Sequence, residues 1–174
     1  MKKNNIKLYN LFFPIWLLWL IPLAWIVILP ANFVFDLLIV VLTMKYLKIE
    51  DIKINVKASI FYIWIFGFLA DCIGCTLMYF AYEFYPDTEF GEWWFDNISI
   101  PVASNPFENI YSFICVTVCV IVSAFFIYRF NHKTTLAGLN LPDEQKKKIA
   151  LSLALFTAPY LFYLPTEWVF GPLD

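Results

Sequence analysis

Two carboxylates stand where carboxylates are expensive. Asp36 lies within NFVFDLLIVVL and Asp71 within FGFLADCIGCTL, both long apolar runs. An acid at the centre of a membrane helix costs about 2.5–3.5 kcal/mol on insertion scales, so it faces a bundle interior, a watery cavity or a partner. Asp71 precedes Tyr82 by eleven residues, which is roughly 16 Å along a helix, and no basic residue occurs at that depth. It is expected to hold its proton and bond to a hydroxyl such as Thr76 or Ser123, or to line a polar pocket. Asp36 is expected nearer the end of its run, roughly 8 Å deep, within reach of the interface. Both are candidate contacts for a cation or small solute.

A second set is sulfur. Cys72 and Cys75 have the two-residue spacing of a redox pair, and Cys115 and Cys119 are one helical turn apart. At matched depth in neighbouring spans, these pairs would suit a membrane oxidoreductase passing electrons from thiols to a quinone. Such an enzyme also needs a cysteine exposed to its substrate, and the intervening loop has none. A thiol within an apolar helix is a poor nucleophile. Packing is the expectation for all four.

A third set is acidic and aromatic: Glu89, Glu92, Trp93, Trp94 and Asp96. Indole and phenol rings favour the headgroup zone, so residues 83–109 are expected to lie on the membrane surface. The sharper alternative is an aromatic ligand platform. The acids have no EF-hand spacing, and no metal site is expected. The lone His132, between Arg129 and Lys133, reads as an interfacial side chain reaching towards phosphates. There is no HExxH, glycine-rich phosphate loop or Ser-His-Asp set, so an enzyme is not favoured and no cofactor is indicated.

The elements that must carry these residues follow from composition. Of 174 residues, 61% are hydrophobic, 21% aromatic and only 15% charged. Soluble domains carry about 25% charge and 45–50% apolar residues, and a soluble fold of this size could not hide so much apolar surface. The chain therefore reads as an all-α integral membrane protein with a single membrane domain. Its net charge of −2 gives no basic face for nucleic acid.

Five spans are expected, at residues 11–29, 31–47, 58–82, 110–130 and 149–164. The break between the first two is placed at Pro30, because proline cannot donate the helical hydrogen bond. The first run is longer than a signal-peptide core, so it is expected to be a retained anchor. Under this division all twelve Lys and Arg residues fall on one side, which the positive-inside rule makes cytoplasmic. The N-terminus is then inside and the C-terminus outside, in a plasma or inner membrane. Gly67, Ala70 and Gly74 form a small-residue face suited to close helix packing. Asn140 is expected to cap the last span, with Pro142 in its first turn.

The function expected from these residues is transporter-like: a membrane protein or subunit handling a cation or small solute at Asp71 and Asp36. The alternatives are the thiol–quinone oxidoreductase and a structural subunit of a larger membrane complex. The expected partners are the lipid bilayer and other membrane subunits or further copies of the chain.

Overall fold

The computed structural model describes residues 22–23, 25–84, 86–166 and 168. They contain helices and turns, with no strand among the described residues. Three helices are long and apolar enough to cross a membrane: α1 (Trp25–Tyr46), α2 (Ile52–Glu83) and α5 (Ile110–Phe130). Their lengths are about 33, 48 and 32 Å, against a hydrocarbon core of about 30 Å. Two short helices, α3 (Glu89–Trp94) and α4 (Ile100–Ala103), lie between α2 and α5. The last, α6 (Asp143–Phe156), has 14 residues and extends only about 21 Å.

Packing closes a ring, with α2 touching α1 and α5, and α6 touching α5 and α1. Gly74 makes the α2–α5 contact possible, since a Cβ there would overlap the Ser123 hydroxyl. Two apolar clusters stack along the bundle. One, around Val40, Ile63, Ile127, Ile149 and Leu153, sits toward the lysine-bearing end. The other, around Met78, Val102, Val116, Cys119 and Phe162, sits toward the acidic end. Outward-facing residues such as Val27, Val34, Leu42, Phe80, Ile121 and Phe125 are more than half exposed. Such an apolar belt is untenable in water and ordinary in lipid.

Several expectations change. The first span, 11–29, lies mostly outside the described residues. Its described part, from Trp25, belongs to the same helix as the second, because α1 runs through Pro30 without a break. Proline is tolerated inside membrane helices where neighbours supply bonds. Separately from the Ile26 carbonyl that Pro30 leaves without its helical donor, this turn is tied to α2: the Trp64 indole donates to the Leu29 carbonyl at 2.7 Å, and its ring packs edge-on against Phe33. The α1–α2 turn ends the helix with a 3.1 Å bond from Ile49 N–H to the Met44 carbonyl and puts Lys48 at φ 53°. That is the left-handed cap position usually given to glycine.

The last expected span, 149–164, is not one helix. The α6 helix stops at Phe156, Thr157 N–H closes on the Leu153 carbonyl at 2.8 Å, and Tyr160–Tyr163 form a separate 3₁₀ turn. Pro159 explains the stop: it has no N–H and bars Ala158 from helical geometry. At the other end Pro142, not Asn140, precedes the first helical residue.

Residues 83–109 do not simply lie on a surface. Ile98, Ser99, Val102 and Ala103 are buried in the end of the bundle. Trp94 donates to the Ala81 carbonyl at 2.8 Å, and Thr166 to the Ala103 carbonyl at 2.8 Å. The segment plugs the acidic end, leaving its charged residues outside.

Candidate functional site

The break after α6 positions the candidate site. Asp36 comes from the middle of α1 and Asp71 from α2, and they are only 5% and 3% exposed. Asp36 is therefore not the near-surface acid that the sequence suggested. Because α1 begins at Trp25 rather than after Pro30, residue 36 falls halfway along the helix. The two carboxyls border one crevice with Asn32, Phe35, Gly67 and Thr157. Its free volume of about 20 Å³ suits a single water or bare ion. Gly67 leaves room for the first acid: a Cβ there would stand 3.4 Å from Asp36 Oδ2.

Neither expected hydroxyl serves Asp71. Thr76 donates to its own helix, to the Cys72 carbonyl at 2.8 Å, and the Ser123 hydroxyl is itself unpaired. Asp71 Oδ1 is enclosed and has no hydrogen-bond partner among the described residues. A buried polar atom left so costs about 1–3 kcal/mol. On the other side of the crevice, the Thr157 hydroxyl lies within hydrogen-bonding reach of both the Leu153 carbonyl, at 2.9 Å, and the Asp36 carboxyl.

Three sources of negative potential thus converge. Two are the carboxyls. The third is the C-terminal end of α6, which carries the equivalent of about half a negative charge. Among the described residues no Lys, Arg or His borders the crevice. This arrangement can hold a cation or exchange protons; broken membrane helices use their C-terminal ends for such sites.

From Asp71 the interior opens into a groove of about 610 Å³, within the range of small-molecule sites. Phe35, Phe107, Phe156, Tyr163 and Trp168 contribute to its walls, and among the described residues Asp71 is the one charged side chain lining it. Tyr163 is fixed by its hydroxyl, which donates to Thr117 Oγ1 at 2.8 Å, and Phe107 stacks on its ring.

No known protein family, curated protein or solved structure matches this chain. Function has to be read from the site itself.

The other candidates fall elsewhere. Cys72 and Cys115 are half-buried, Cys75 and Cys119 are buried, and none of the four is in a disulfide. Cys75 and Cys119 belong to the apolar cluster at the acidic end. Glu89 and Glu92 rim a shallow depression with Asp87 and Pro86. Asp96 and Trp93 are exposed, whereas Trp94 turns inward. Among the described residues no three His, Cys, Asp or Glu side chains gather closely enough to hold a metal. His132 is not an interfacial residue reaching outward. It is 8% exposed, stacks on Tyr128 and meets Asp143 at 3.2 Å.

Sequence reasoning missed Asn32 and Thr157, which are polar but common. The available signal was Pro159: a proline inside an expected span marks a possible break, and the residues just before it become site residues.

Proposed function

We propose that this is a transporter-like membrane protein that handles a cation at the Asp36–Asp71 crevice, with the aromatic groove as its access. The observation that carries this reading is the enclosed, unpartnered Asp71 Oδ1 beside the C-terminal end of a broken helix. The groove favours it over a purely structural subunit, which would present an apolar face without a cavity. The thiol–quinone alternative has less support, because Cys75, Cys119 and Cys115 belong to the apolar packing and no disulfide joins the cysteines. Replacing Cys72 and Cys75 together by alanine should leave function unchanged.

The topology proposed with it has the lysine-bearing end in the cytoplasm and five passes. They are the apolar run read at 11–29, which lies mostly outside the described residues, then α1, α2, α5, and finally α6 continued by the stretch through Tyr163. A reporter fused after Asp174 is then active outside and one near Asn140 inside. Equal activity on one side would refute this arrangement.

The functional test uses the full chain in vesicles loaded with a pH dye, with sodium, potassium or tetraethylammonium added outside. At least one cation should drive proton movement that Asp71→Asn returns to the level of empty vesicles. If none does, or if Asp71→Asn behaves as the parent, the proposal fails.

A further inference from the structure

The groove is wider and far less polar than an inorganic ion requires. An ion stripped of water needs several oxygen ligands, as hard cations do, yet the walls around Asp71 are chiefly aromatic and aliphatic. A single enclosed carboxyl at the base of an aromatic slot is the complement of a different object. That object has an apolar body and one positive charge that lacks a hydration shell strong enough to resist entry. Rings such as Phe35, Phe107, Tyr163 and Trp168 line the slot, and aromatic rings attract a cation of this kind. The Asp71 carboxyl, which lines the groove, supplies the counter-charge, and no base lines it among the described residues.

We infer that the ligand of this groove is a small apolar organic cation, a quaternary or protonated amine, whose charge docks at Asp71 while its hydrocarbon fills the aromatic slot. This rests on the cation-handling reading above and names its ligand class. The 20 Å³ crevice behind, shared with Asp36, is too small for such a body and is left to a water or a proton. The natural occupants of an apolar groove facing lipid are acyl chains, but a neutral chain brings no counter-charge to the carboxyl on the groove wall.

The test is binding to the full chain in lipid nanodiscs. The probes are tetramethyl-, tetraethyl- and tetrabutylammonium, with neutral tributylphosphine oxide as control. Affinity should rise along the series, by well over tenfold from methyl to butyl, because the added methylenes leave water for the slot. Asp71→Asn should weaken tetrabutylammonium by at least about tenfold and leave the phosphine oxide unchanged. Phe35→Ala and Trp168→Ala alter exposed groove residues. They should flatten the chain-length dependence without touching the buried acid, and so serve as the test if Asp71→Asn fails to fold. Displacement by sodium with no chain-length dependence would overturn the inference in favour of an inorganic ion, leaving the cation-handling function standing. Equal binding of the neutral control would overturn it in favour of a lipid slot. Absence of binding by every ammonium probe would also overturn it, while the vesicle measurement decides separately whether cations are handled at all.

Discussion

The two ends of α6 treat carboxylates in opposite ways. At its start, Asp143 and Glu144 occupy the first turn, where the helix dipole favours negative charge. Asp143 meets Lys147 at 2.8 Å and His132 at 3.2 Å, and Glu144 meets Lys147 at 3.4 Å. The Lys147 hydrogen bond first, and then that of His132, hold the Asp143 carboxyl below its ordinary value of 3.8. At its finish, the dipole has the other sign and the acids still gather. Asp36 and Asp71 are buried beside Thr157 with no base along the crevice. The first end is arranged for stability. The second keeps buried acids without a base beside them, and it is there that the proposed function has its site.

Asp71→Leu should therefore raise stability, by about 1–3 kcal/mol in detergent unfolding, since an unsatisfied polar group is replaced by a hydrocarbon of similar size. A large loss of stability would mean that Asp71 has a structural partner, and would erase the contrast between the ends. Asp71→Asn and Asp36→Asn separate chemistry from packing. The first should abolish cation binding with the fold intact. The second, acting from the closed crevice, should weaken it less.

Pro159→Ala sharpens the comparison by moving the finish of α6. Alanine permits helical geometry at Ala158, so α6 should lengthen by about one turn, visible as increased helical circular dichroism. Its C-terminal carbonyls would then leave the crevice, and cation affinity should fall although neither acid has changed. Thr157→Val, removing a hydroxyl shared by the Leu153 carbonyl and Asp36, should cost about 1 kcal/mol.

The smallest effect belongs to the first end. A carboxyl held below its unfolded value stabilises the fold above that value, and the contribution disappears as pH falls through the lower, folded value. Stability of the parent should therefore decline in acid as Asp143 takes its proton. Asp143→Asn should flatten that part of the profile while changing little at neutral pH, because exposed ion pairs contribute little.

Much of this fold was legible in the chain. Asn109 caps α5 by accepting from Tyr111 N–H at 2.9 Å, one residue before the expected start. Asp71 faces the interior, as the cost of a carboxylate in lipid required. Pro30 and Pro159 explain the misplaced boundaries. The same residue type is absorbed by α1, where Trp64 ties the adjoining turn to α2, and ends α6, where the chain turns into the groove. Local sequence cannot distinguish these outcomes, because the deciding partner comes from another helix. The plug formed by residues 98–103 was hidden for the same reason. Its anchors, Trp94 to Ala81 and Thr166 to Ala103, join distant positions without a periodic signal. Burial of Asp36 followed from where α1 begins, so one misplaced break moved one site residue.

The central claim is that the Asp71 carboxyl, on the wall of the groove, meets a cation there. Dicyclohexylcarbodiimide, an apolar reagent for protonated carboxyls, measures this directly when the full chain is treated in membranes and mapped by mass spectrometry. Asp71 should be modified ahead of Asp36, which sits in the closed crevice, and tetrabutylammonium should slow the modification in proportion to its occupancy. An unmodified Asp71, or one modified at the same rate with and without the cation, would contradict the claim.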